Sequence, residues 1–143
     1  MKDSVTRETE ARRGELTGLA LKIHANPELG FQETKAAEWL AGYLEEKGFS
    51  VERGICQMPT AFKANYGKGK PVIAVLAEYD ALPDLSQVAA GTRQAADGRV
   101  TGHGCGHCAL GTAAIGAAIA VKDMYEKHKL PGTLRVYGTP AEE

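Results

Sequence analysis

The run His103-Gly104-Cys105-Gly106-His107-Cys108 places two thiols and two imidazoles within six positions. Thiolate and imidazole are both good ligands for zinc and related metals. The inner tetrapeptide CGHC also has the spacing of a redox dithiol, in which the first cysteine attacks as a thiolate stabilised by a helix N-terminus. A third chemistry is a closed structural zinc site, which needs four ligands. Four candidates in six residues are too crowded to wrap one ion, and no second ligand pair is evident elsewhere. The catalytic-metal reading uses fewer of these residues. Side chains two apart in an extended loop point the same way, so Cys105 and His107 are expected to face one cation. The glycines at 102, 104 and 106 permit the tight path. Glu142 and Glu143 then close the chain with adjacent carboxylates. One can bind metal while its neighbour takes a proton from an attacking water.

The redox alternative, a thiol–disulfide oxidoreductase using Cys105 and Cys108, shares its tetrapeptide with the disulfide isomerases. Those enzymes carry an aromatic residue before the first cysteine and usually a basic one after the second. Gly104 and Ala109 stand there instead, and a long loop rather than a short buried strand leads into the motif. A non-catalytic metal-binding fragment is a third possibility.

The elements that must position these groups can be read from periodicity. Residues 5–24 predict an amphipathic helix, with Leu16, Leu19, Leu21 and Ile23 on its apolar side. Pro27 and Gly30 mark a loop. Residues 33–48 predict a second helix with Thr34 as N-cap, an apolar stripe of Trp39, Leu40, Tyr43 and Leu44, and Gly48 as terminator. "FSVERGI" and "TAFKANYG" alternate as half-buried strands do. "PVIAVLAEYD" is a continuous apolar run, expected of a strand covered on both faces. Residues 81–106 form a long irregular stretch of the kind that is usually functional. A helix from 109 to 127 and a final strand within "PGTLRVYGTPAEE" complete an α/β layered domain with a mixed, partly parallel sheet and flanking helices. Ligand sites in such folds lie beyond the carboxyl ends of the strands, and "AEYD", "GHGCGHC" and "TPAEE" all reach that edge.

Composition narrows the partners. The 143 residues suit one domain, and the formal net charge of −1 leaves no basic field for nucleic acid or a membrane surface. The longest apolar stretch, "ALGTAAIGAAIAV", is shorter than a bilayer span. A charged N-terminus and an odd cysteine count of three argue against a secreted disulfide framework, so a cytoplasmic location is expected.

Taken together, "HANPELGFQE", "AEYDALPDLSQ", "GHGCGHC" and "TPAEE" resemble the aminoacylase/carboxypeptidase family of metal-dependent amidohydrolases. The motifs occur in that family's order and spacing along nearly the whole chain, and the wording is most similar to its aminobenzoyl-glutamate hydrolase group. The resemblance implies a zinc-exopeptidase-like catalytic domain, two divalent metal ions (zinc or manganese), a small-molecule amide substrate and a homodimer in the full-length form. It casts Cys105, His107 and Glu143 as metal ligands, Glu142 as general base, and Asp80 as an acidic support behind the metal ligands. Cys108 departs from the Asp or Asn usual after the motif histidine, which is expected either to weaken a supporting hydrogen bond or to offer the metal an extra thiolate. The family's later ligands and its lid or dimerisation domain would follow Glu143. Residues 1–143 are therefore expected to be the N-terminal part of the catalytic domain, inactive alone.

Blander roles are expected elsewhere. His24 reads as a helix C-cap or surface residue, His103 as a buried histidine bonded to backbone, His128 as exposed, and Cys56 as a small apolar residue near a strand end.

Overall fold

The computed structural model describes residues 2–96 and 98–143. Its chain order is α1 (Lys2–Ala11), α2 (Arg13–His24), α3 (Thr34–Glu46), β1 (Ser50–Arg53), β2 (Phe62–Lys68), β3 (Val72–Glu78), α4 (His107–His128) and β4 (Gly132–Thr139), with a short 3-10 turn at Ile55–Gln57. The four strands form one sheet in the order β1-β2-β4-β3. β1 pairs antiparallel with β2 and β2 with β4, whereas β3 and β4 run parallel. The mixed sheet expected from the sequence is present, and its parallel pair sends the ends of β3 and β4 to one edge.

The single N-terminal helix expected over 5–24 is two helices. The backbone breaks at Arg12, with φ −102° and ψ 6°. Its guanidinium donates to the Glu8 carbonyl at 2.8 Å and pairs with Asp123 of α4 at 2.7 Å, so the break is tied down on both sides. At α3 the residue in the N-cap position is Glu33 rather than Thr34. Glu28 does the capping from a distance, its carboxylate accepting the backbone N–H groups of Lys35 and Ala36 at 3.0 Å. The C-terminus closes as expected. Gly48, at φ +90°, lets its own N–H reach Glu45 and the Phe49 N–H reach Leu44, a Schellman pair.

The core lies between the sheet and the helices. Leu40 and Leu44 of α3, Ile115 and Ile119 of α4, and Phe62, Leu134 and Val136 of the sheet are each at most 1% exposed. Burying one such side chain stabilises by about 1.5–3 kcal/mol. Trp39 and Tyr43 only flank this cluster; Ala36, Ala37 and Ala41 form the face of α3 that meets it. Helix α4 has the length and composition of a membrane span, contrary to the expectation from sequence, but 61% of its apolar window is buried here against the protein.

β3 departs most from expectation. It is an edge strand, and Val72, Ile73 and Leu76 are 50%, 48% and 60% exposed. A continuous apolar run signals two faces to be covered; among the described residues the face of Val72 and Leu76 is open, and the other is covered only from Val75 onward. At the other end of β3 packing is tight. A Cβ on Gly111 would run into the Glu78 carbonyl oxygen, so the missing side chain lets the first turns of α4 lie against the strand end.

Candidate metal centre

Three backbone devices converge on the edge where β3 and β4 end. Beyond β3 the alternation of side chains sends Tyr79 into the core, where its hydroxyl donates to the Thr60 carbonyl at 2.6 Å. Glu78 and Asp80, two apart, share the other side. Burial, then the nearby Glu33 and Asp80 charges, push the Tyr79 phenol well above its usual range.

The second device is the start of α4. The helix begins at His107, two residues earlier than its periodicity indicates, and Gly106 at φ +89° makes the turn into it. Cys105 and His107 do face one point, but a left-handed glycine brings them there rather than an extended loop. Cys108 lies on the inner side of the helix, 7% exposed within the hydrophobic core. The extra thiolate expected of it is thus not offered to the site. Of the four residues weighed for a closed zinc shell, His103 also points elsewhere, with its ring against that of His24.

The third device holds the chain end. Ala141 adopts φ +55°, and its N–H donates to Glu33 Oε1 at 2.8 Å. The Glu143 N–H donates to Asp80 Oδ2 at 3.1 Å. Glu33 and Asp80 are 0% and 2% exposed, so two buried carboxylates fix the backbone that presents Glu142 and Glu143. The sequence reading missed Glu33. Its only signal is an acidic residue one place before a helix, which reads equally well as a cap.

Asp80 also reaches the imidazole. Its Oδ1 lies 2.7 Å from His107 Nδ1, with both groups almost wholly buried. A carboxylate can only accept here, so Nδ1 carries the donated proton and Nε2 is left for the cluster. Around Nε2 stand Glu78 Oε2 at 3.6 Å, Glu142 Oε2 at 3.6 Å and Glu143 Oε1 at 3.8 Å. Donor atoms of Cys105, His107 and Glu143 lie within 4.8 Å of one another, and so do those of Glu78, His107 and Glu142. All five residues expected from the sequence therefore meet at one place. Glu78 was not among them; its signal is its position as the last residue of the apolar β3 run.

This donor set fits a divalent cation. Three carboxylates and a thiol around one imidazole leave an excess of negative charge that only a cation offsets. The Cys105 thiol registers that excess. Its pKa is raised by its hydrogen bond to Glu143, then by burial, then by the Glu143, Glu142 and Glu78 charges. Burial raises Cys108 as well. A dithiol oxidoreductase needs its attacking cysteine lowered, and Cys105 lies ahead of the helix rather than in its first turn. Neither the geometry nor any relative supports the redox alternative.

Comparison with known proteins finds relatives over most of this chain. Residues 74–143 match the sequence profile of peptidase family M20/M25/M40. One of the subunits of the p-aminobenzoyl-glutamate hydrolase of Escherichia coli is 51% identical over 136 residues, which is 94% of this chain and 28% of that protein. The N-acetylcysteine deacetylase of Bacillus subtilis is 34% identical over 131 residues, 90% of this chain and 33% of that protein. A crystal structure from Bacillus subtilis, described as a dinuclear metal binding peptidase from the M20 family, superposes with a TM-score of 0.77 at 31% identity, covering 93% of this chain and 36% of that one. The chain thus spans about a third or less of the length of these relatives. The homodimer implied by the family resemblance finds no support among them, and the name of the Escherichia coli relative makes it one component of a larger enzyme.

Proposed function

The chain belongs to peptidase family M20/M25/M40, and from that premise we propose that it supplies half of a two-metal amidohydrolase centre. The proposed reaction is hydrolysis of the amide bond of N-acyl or aroyl amino acids, with p-aminobenzoyl-glutamate-like substrates first. One observation carries this reading: two groupings of metal-donor atoms share His107 at the edge where two parallel strands end.

Cys105, His107 and Glu143 would hold one cation, and Glu78 with Glu142 stands around the same Nε2 of that imidazole. Divalent cations, when bound, supply polarisation of the scissile carbonyl and a lowered pKa for water. The chain's own residues then have separate tasks. Asp80 holds the His107 ring and, through the Glu143 N–H, the backbone beside it. Glu142 is the half-exposed carboxylate, 50% accessible at its side chain, so it can take a proton from water and later deliver it to the leaving nitrogen. The remaining cation ligands and the substrate's outer wall are proposed to come from outside residues 1–143. Zinc and manganese both suit a mixed S/N/O shell.

The test is a chimera in which this chain replaces the matching segment of the Escherichia coli relative. Combined with the rest of that enzyme, the chimera should hydrolyse p-aminobenzoyl-glutamate, and Glu142→Gln should lower kcat by about 10²–10⁴-fold. Parental kcat in the Glu142→Gln chimera would refute the assignment.

A further inference from the structure

Next to the metal centre, but sharing none of its ligands, lies a cavity of about 380 Å³ between the end of α2 and the 85–104 loop. We propose that it is a binding site for a carboxylate of a small organic acid. Its polar wall supplies nitrogen donors. His24 and His103 stack there with ring centroids 6.2 Å apart, and Arg99 closes the side. Among the described residues that line it, none is acidic.

His103 provides the strongest reason. Both of its ring nitrogens are shielded from solvent and neither makes a hydrogen bond of good geometry. The Ile23 backbone, the partner type expected from the sequence, is close enough to oppose the lowering of the imidazole pKa by burial but holds the ring only weakly. Buried polar atoms are almost always paired, and an orphan of this kind calls for a ligand or an ordered water. A neutral imidazole offers one N–H and one acceptor nitrogen, so a carboxylate would satisfy the N–H and leave the other nitrogen for water or backbone. Arg99 Nη1 donates to the Ala25 carbonyl at 3.2 Å, which anchors the side chain across the gap. The rest of its guanidinium fork remains for a second acceptor, and a carboxylate is the group that matches such a fork in two places.

The wall facing α2 is built rather than loose. Gln87 donates to the Val88 and Thr92 carbonyls at 2.9 and 2.8 Å and accepts the Gln94 N–H at 3.0 Å. Ser86 is bonded through its N–H to Val100 and through its hydroxyl oxygen to the Ala96 N–H. Leu82 and Gly102 exchange two backbone bonds at 3.0 Å. A Cβ on Gly102 would strike the Leu85 carbonyl oxygen, so the segment carrying His103 is pressed against this loop. A preformed cavity of this volume lies in the range that small ligands occupy.

Gly104, on the cavity wall, directly precedes Cys105. A molecule anchored here by its carboxylate would extend its other end toward the metal centre. That second step, in which the bound acid is the carboxylate-bearing part of the amide substrate, rests on the amidohydrolase reading. The cavity's preference for a carboxylate does not.

The test is a titration of the ¹⁵N-labelled 143-residue chain, stripped on a chelating resin, with glutarate and, separately, with neutral glutaramide. Glutarate should give saturable amide shifts at Ser86, Arg99, His103 and Gly104. Glutaramide should bind about tenfold more weakly, and Arg99→Gln should weaken glutarate by about tenfold at unchanged Tm. No shifts, equal shifts with glutaramide, or shifts scattered over surface lysines would overturn the proposal. Cobalt(II) titration of the same samples separates the two readings. Normal cobalt binding without glutarate binding defeats the cavity alone; glutarate binding without cobalt binding leaves the cavity standing and defeats the metal centre.

Discussion

Replacing Asp80 by Asn removes a charge from the group that ties the site together while changing its shape little. Asp80 accepts from two donors, His107 Nδ1 at 2.7 Å and the Glu143 N–H at 3.1 Å. Asn has one acceptor oxygen. If that oxygen keeps the imidazole, its NH₂ faces the Glu143 N–H, donor against donor; if it turns, the imidazole loses its acceptor. Removing such a supporting carboxylate typically weakens metal binding by about 10–100-fold, which corresponds to about 1.4–2.7 kcal/mol. The assay is competition for zinc against a chromophoric chelator, run on the 143-residue chain. Melting of the metal-free proteins alongside separates lost folding from lost affinity. An Asp80→Asn chain that folds normally and binds zinc within about twofold of the parent would refute the view that this carboxylate organises the ligands.

Further outcomes are expected at other positions. Glu33→Ala releases the Ala141 N–H; zinc affinity should fall about tenfold, and Glu33→Gln, which retains an acceptor, should restore most of it. Gly111→Ala places a methyl against the Glu78 carbonyl, and overpacking of this kind should lower stability by about 1–3 kcal/mol in urea melts. Glu15 links α2 to α3 through Lys47 and Tyr43, and its pKa is lowered chiefly by the hydrogen bond to Lys47. A lowered carboxylate pKa adds stability above the ordinary carboxylate range and loses it as pH falls through the folded value. The Tm gap between the parent and Glu15→Gln should therefore be present at neutral pH and close on acidification.

How much of the molecule was legible in the sequence depends on the kind of signal. The mixed sheet and α4 follow from periodicity, which local hydrophobic pattern carries well. Arg12 hid a helix break, because its cause is an ion pair with Asp123, more than a hundred residues away. The apolar run of β3 predicts a strand covered on both faces, and the structure instead leaves Val72, Ile73 and Leu76 open at the sheet edge, because position in the sheet is set by the pairing partners and not by the run itself. Within the site, Asp80, Cys105, His107, Glu142 and Glu143 were found because their residue types and motif context pointed to metal chemistry. Glu33 and Glu78 were not, since each looks like an ordinary helix-start or strand-end acid until the fold brings them beside Ala141 and His107. His103 shows the converse: the sequence points to a histidine held by backbone, and only coordinates reveal that its contact with Ile23 leaves both ring nitrogens without a well-formed hydrogen bond.

Cobalt(II) titration of the 143-residue chain, followed by the near-ultraviolet thiolate-to-cobalt charge-transfer band, reports directly on whether Cys105 ligates a cation, and its loss in His107→Ala and Glu143→Ala tests whether those residues share that cation. The expected result is a saturable band that Cys105→Ser abolishes and Cys108→Ser leaves intact, since Cys108 is turned into the core. Absence of the band, or a band that disappears with Cys108 instead, would contradict the site described here.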